Sequence, residues 1–184
     1  MRLKVRWVNN TLSPAECAYI ITECVPFLEK GTFEKSKNPF SLGNVFPSMV
    51  RNSKVVWIYP ESNLSSIMQK VIDTLLQQIE ECFYIPCKHV ENIQFTQYEF
   101  LNHYSYHMDS SPEELTSKRL LSASVELTDP NEYWGGQLKI KIGDEVINAP
   151  KEQGNLTIFP SCFQHKVTPV LKGTRYSLVI WVHF

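Results

Sequence analysis

Hydrophobic positions recur at helical spacing in two stretches of the chain and at alternate positions over most of the rest. Leu64, Ile67, Met68, Val71, Ile72, Leu75, Leu76, Ile79 and Phe83 follow an i, i+3, i+4 pattern for about five turns. They predict a helix starting near Ser62 or Asn63 with one apolar face destined for a sheet. The first helical stretch opens with Ser13-Pro14-Ala15-Glu16, an N-cap, a proline at the first helical position and a glutamate placed to close a capping box. It is expected to run to about Lys30. Beyond Pro86 the texture changes to short runs of β-branched and aromatic residues separated by Asp-Pro, Gly-Gly, Gly-Asp and Lys-Gly turns. Strands are expected near 91–98, 103–109, 119–128, 136–142, 145–149, 155–159, 164–170 and 174–183, with earlier ones near 3–8 and 53–59. This pattern implies a mainly β fold, a sandwich or barrel flanked by two helices. No period runs through the stretch between Gly31 and Ser53, which is therefore a candidate cover for a site, with Ser110 to Lys118 a second.

Composition narrows the class. The 184 residues are 43% hydrophobic and carry 18 Lys plus Arg against 19 Asp plus Glu, a formal net charge of -1. A chain of this size holds a core without a structural metal, so a metal found in it is expected to be functional. The balanced charge offers no footprint for a nucleic-acid backbone or an anionic membrane. Alternating apolar residues at the start do not resemble a secretory signal, and no apolar run approaches the ~20 residues of a membrane helix. The five cysteines, Cys17, Cys24, Cys82, Cys87 and Cys162, show no Cys-x-x-Cys spacing, which favours reduced thiols and a cytoplasmic setting.

Candidate chemistry starts at His107-Met108-Asp109. Alternate residues of a strand share a face, so His107 and Asp109 can reach one metal ion. The triplet alone carries little weight, and His165 is the natural third ligand. Two histidines and a carboxylate leave open positions on an octahedral ion, as in non-heme Fe(II) oxygenases. Zinc hydrolases also use such a set, but the His-Glu-x-x-His helix is absent. Arg175 and Ser177 share the next strand face, where a guanidinium fork and a hydroxyl can clamp a carboxylate. A metal site with such a clamp calls for an acidic cosubstrate, and 2-oxoglutarate fits.

These residues lie in recognisable surroundings. Gln94 to Tyr98 with Tyr104 to Asp109, Arg119 to Pro130 with Tyr133-Trp134-Gly135-Gly136-Gln137-Leu138, and Gly154 to Pro160 continuing to Trp181-Val182 resemble, in order, the iron-site segments of Fe(II)/2-oxoglutarate oxygenases of the prolyl 4-hydroxylase superfamily. Val50-Arg51-Asn52-Ser53 through Ile58 is similar to an upstream Arg-x-Ser strand of its bacterial and phage members. The resemblance covers roughly residues 50–184.

It implies a double-stranded β-helix, or jelly roll, with helices outside. It also implies one domain over 1–184, in which 1–85 supply helical support and a lid and 86–184 the catalytic core. By the same resemblance His107, Asp109 and His165 are iron ligands, Arg175, Ser177 and Tyr98 hold the cosubstrate, and Tyr104, Trp181 and Arg51 lie toward the substrate. Fe(II), 2-oxoglutarate and O2 are the implied cofactors, with ascorbate as reductant. Two departures stand out: Glu126 occupies a position where some animal relatives have a cosubstrate-contacting tyrosine, and arginine at 175 replaces the lysine of collagen-type enzymes. The implied reaction hydroxylates a prolyl residue in a peptide or protein and releases succinate and CO2. Alternatives are hydroxylation of a free amino acid, another side chain or a small metabolite, or a metal-binding jelly roll without turnover. The oligomeric state is left open.

Overall fold

The capping box expected at Ser13 starts the first helix: the Ser13 hydroxyl accepts from the Glu16 N–H at 3.3 Å, and the Glu16 carboxylate accepts from the Ser13 N–H at 2.7 Å. The computed structural model describes residues 5–30, 47–83, 89–110 and 118–183. Helix α1 spans Pro14–Cys24 and α2 spans Ser65–Phe83. α1 stops short of the expected Lys30 because Pro26 has no N–H to continue the ladder; a 3-10 turn, Val25–Phe27, follows.

In chain order the strands are β1 (Arg6–Val8), β2 (Glu29–Lys30), β3 (Arg51–Asn52), β4 (Lys54–Ile58), β5 (His89–Val90), β6 (Ile93–Tyr98), β7 (His103–His107), β8 (Arg119–Glu126), β9 (Trp134–Gly135), β10 (Leu138–Ile142), β11 (Glu145–Asn148), β12 (Leu156–Pro160), β13 (His165–Val167), β14 (Val170–Lys172) and β15 (Arg175–His183). The major sheet runs β1-β12-β8-β15-β6-β4-β2, with β5 also paired to β15, and the minor sheet runs β11-β10-β13-β7-β3. Two mainly antiparallel sheets facing one another, with helices outside, form the jelly roll.

Two further expectations change. The strand expected over 164–170 is two strands in different sheets, because Pro169 cannot donate to a ladder and the chain turns there. The proposed cover at 31–52 is not a single loop: Pro47–Val50 is a helical turn and β3 pairs with β7, Arg51 opposite Tyr104, while 31–46 lie outside the described residues. The second candidate cover, over 110–118, lies outside them at 111–117. As the early strands expected near 3–8 and 53–59 imply, the first 85 residues also enter the sheets: β1, β2 and β4 extend the major sheet and β3 the minor one.

The central strands of the major sheet, β6, β8, β12 and β15, are largely buried on both faces. Phe95, Leu121, Ala123, Val125, Leu156, Ile158, Leu178, Ile180 and Val182 join Cys17, Ile20 and Cys24 of α1 and Met68, Val71, Leu75 and Ile79 of α2 in one apolar cluster. The alternate residues Gln94, Ser122, Ser124, Glu126, Arg175, Ser177 and Trp181 are buried on the other face. Burial pushes the Cys17 and Cys24 thiols up to about 11 and about 12, as expected of core cysteines.

Candidate metal and cosubstrate site

Between the sheets lies a cavity of about 330 Å³ whose wall includes all nine residues singled out in the sequence: Arg51, Tyr98, Tyr104, His107, Asp109, His165, Arg175, Ser177 and Trp181. Strand register brings the metal-type residues together. His107 on β7 and His165 on β13 are cross-strand partners, and Asp109 follows the end of β7 with its backbone N–H on the Ser161 carbonyl at 2.9 Å. One ligand atom from each of the three lies within 4.8 Å of the others. His107 Nε2 is 3.4 Å from Asp109 Oδ1 and His165 Nε2 is 3.3 Å from Oδ2.

The donor set fits a divalent cation. His107 Nδ1 is 2.9 Å from the Ser105 carbonyl and His165 Nδ1 is 3.0 Å from the Phe163 carbonyl. Each carbonyl selects the tautomer that carries its proton on Nδ1, which leaves Nε2 as the electron-pair donor. Ser122 Oγ donates to Asp109 Oδ2 at 2.6 Å and shares a hydrogen bond of 2.9 Å with Ser161 Oγ. Burial raises the Asp109 carboxyl, but the two histidines outweigh it and hold it well below its ordinary value. Burial and the neighbouring His165 lower His107. Burial also works against a charged His165, yet the Asp109 carboxylate holds it above its ordinary value.

The other end of the cavity is cationic. Arg175 is 1% exposed, and its Nη1 donates to Ser177 Oγ at 3.2 Å. Tyr98, its cross-strand partner, holds its ring centroid 5.5 Å from the guanidinium carbon. The Gly135-Gly136 turn makes room for this side chain: Gly136 has φ +57, and a Cβ there would stand 3.0 Å from Arg175 Cδ. Along the rim, Tyr104 stacks on His107 at 3.5 Å between centroids, and the Arg51 guanidinium carbon lies 4.9 Å from the Tyr104 ring centroid. Arg51 donates to Ser53 Oγ and Gln94 Oε1, both at 2.8 Å.

Three participants, Trp57, Arg119 and Ser122, escaped the reading of the sequence, and the pairing of a fourth, Glu126, was not foreseen in it. Trp57 packs against Trp181 at 5.9 Å, and Arg119 lies 4.0 Å over the Trp181 ring while bridging to Glu91. Ser122 steadies Asp109, and Glu126 pairs with Arg175. The polar alternation Ser122, Ser124, Glu126 within an otherwise apolar strand was the available signal.

This arrangement of facing sheets, a two-histidine, one-carboxylate cluster and a buried arginine defines a recognisable class. Residues 93–183 match the family model of the 2OG-Fe(II) oxygenase superfamily, and the chain belongs to that superfamily. A PKHD-type hydroxylase of Crocosphaera subtropica is 28% identical over 178 residues, covering 96% of this chain and 77% of the relative. The fold matches a Pseudomonas putida prolyl-4-hydroxylase with a TM-score of 0.76 at 19% identity, over 99% of this chain and 93% of that one. A prolyl hydroxylase from Trichoplax adhaerens, solved with a hypoxia inducible factor oxygen degradation domain peptide fragment, gives 0.76 at 17% identity over 99% and 84%. The family implies Fe(II), 2-oxoglutarate and O2, and among the described residues no helix is long and apolar enough to cross a membrane.

Proposed function

We propose that this oxygenase hydroxylates an unactivated C–H bond of a prolyl residue in a peptide or protein. The observation that carries the reading is the His107, Asp109 and His165 cluster at one end of the cavity with Arg175 at the other. In this reading the two Nε2 atoms and the Asp109 carboxylate hold iron, and Ser122 keeps the carboxylate turned toward it. Arg175 and Ser177 receive the distal carboxylate of 2-oxoglutarate, and Tyr98 walls that end. Iron with 2-oxoglutarate and O2 supplies the oxidising chemistry, in which one oxygen atom goes to the substrate and the other to succinate as CO2 leaves.

The protein's own share is to orient the substrate and exclude water. Trp57 and Trp181 offer an aromatic wall for a proline ring, and Tyr104 and Arg51 line the same cavity. The Trp181 indole N–H is buried with no hydrogen-bond partner among the described residues and suits a substrate carbonyl. Strands from both halves build each sheet, so the chain is read as one catalytic unit. Its buried thiols suit a reducing, cytoplasmic setting, where ascorbate would return oxidised iron to Fe(II).

The test is succinate formation from 2-oxoglutarate by the Fe(II)-loaded chain with proline-rich peptides, read alongside mass spectrometry. The expected result is a gain of one oxygen on proline that disappears in His107→Ala and Arg175→Ala. Iron-dependent turnover indifferent to both substitutions overturns the site; oxidation confined to a free amino acid or small metabolite overturns the peptide substrate.

A further inference from the structure

Behind the cavity, Arg175 meets a second charged side chain. Arg175 Nε donates to Glu126 Oε2 at 2.9 Å and Nη2 donates to Oε1, so the carboxylate covers the side edge of the guanidinium. Both partners are buried, Arg175 at 1% and Glu126 at 3% exposure. They differ in one respect: Arg175 and Ser177 line the cavity and Glu126 does not. The end edge of the guanidinium, formed by Nη1 and Nη2, is the one left for a ligand, with Ser177 Oγ already at Nη1. On the far side the Lys151 ammonium donates to the Gly135 carbonyl at 2.7 Å and lies 4.1 Å over the Tyr133 ring. Lys151 adds one cation to the cluster, and Glu126 removes one.

We propose that Glu126 is a specificity-determining residue of the cosubstrate pocket: it holds Arg175 by the edge away from the cavity and lowers the positive charge with which that end selects a dianion, leaving one net cation of the two that Arg175 and Lys151 supply. The inference rests on the reading that Arg175 receives the distal carboxylate. The far end of the cosubstrate is then recognised by the direction of the Nη1 and Nη2 hydrogen bonds and by one net positive charge in place of two. Two charge-assisted hydrogen bonds from an unmatched guanidinium discriminate by more than about a hundredfold against a ligand lacking the carboxylate. A matched one discriminates less.

The experiment is equilibrium binding, not turnover. 2-Oxoglutarate and 2-oxopentanoate, which has the same five-carbon skeleton without the distal carboxylate, are titrated calorimetrically into the full chain loaded with Mn(II). The wild-type preference for 2-oxoglutarate is expected below about a hundredfold, and a larger preference overturns the inference. Glu126→Gln keeps size and one acceptor but uncovers the charge; 2-oxoglutarate should bind about tenfold tighter or more while 2-oxopentanoate changes less than about twofold. Glu126→Asp, which keeps the charge, should retain the wild-type preference. A merely structural role would move both ligands together, and an unchanged preference in Glu126→Gln overturns the inference alone. Failure of the wild-type chain to bind 2-oxoglutarate overturns the proposed function and this inference with it.

Discussion

On β15, Leu178, Ile180 and Val182 pack toward the helices while Arg175, Ser177 and Trp181 lie against the cavity, and all six are buried. The helix face is held by apolar area, worth roughly 1.5–3 kcal/mol per large side chain removed from water. The cavity face gains little of that kind, because each buried polar group there must first recover what desolvation costs it. It does so through specific partners: Ser122 with Asp109, Arg51 with Gln94, Arg175 with Glu126. The sheet therefore separates two tasks, stability on one side and a preorganised polar site on the other, only one side chain's thickness apart.

That separation is open to direct attack. The largest effect is expected from His107→Ala on the cavity face: 2-oxoglutarate turnover should fall about a thousandfold or more, since loss of a ligand exceeds the 10–100-fold typical of its supports. Its melting temperature should stay within a few degrees of wild type, and a collapse of the fold would break the comparison. Phe95→Ala is the counterpart on the helix face, where the ring is fully buried and stacks on Tyr176 at 5.5 Å. Urea unfolding should show a loss of about 3–5 kcal/mol, while the folded fraction keeps its metal affinity.

A smaller effect is expected at Ser122, whose hydroxyl lies 2.6 Å from Asp109. Ser122→Ala should weaken metal binding about 10–100-fold, measured by competition with a chelator, at little cost in stability. The smallest concerns Glu91 at the edge of the sheet. Burial pushes its carboxyl up, but hydrogen bonds from Arg119 and His183 outweigh burial and hold it below its ordinary value of 4.5. The folded state thus binds this proton less readily than the unfolded state, so the stabilisation is complete above the ordinary value and fades as pH falls through the lower folded one. Glu91→Gln should be less stable by about 1 kcal/mol at neutral pH, with the gap closing as the solution is acidified below that range; a constant gap would show that the ion pair contributes nothing.

Legibility in the sequence followed the range of the interactions. The α2 stripe and the Ser13 cap depend on residues three or four apart, and both formed where expected. The nine cavity residues were legible because family motifs mark their positions. Short strands were not: β2, β5 and β9 are two residues each, and such strands exist only through a partner supplied from elsewhere in the chain. Arg51 was legible as a site residue in an Arg-x-Ser strand, but not the division of that strand, which pairs β3 with β7 beside Tyr104 and β4 with β6 in the other sheet.

Alternation along the chain by itself determined that the strands would carry two chemically different faces, because side chains of a strand point to opposite sides whatever the partner. It also determined which residue types could hold a metal and clamp a carboxylate. Only the tertiary structure decided who meets whom: His107 beside His165, Ser122 on Asp109, and Glu126 behind Arg175, 49 residues away in sequence. Those meetings depend on sheet register and on the close approach at Gly136, which are set by the packing of the whole and not by any local stretch.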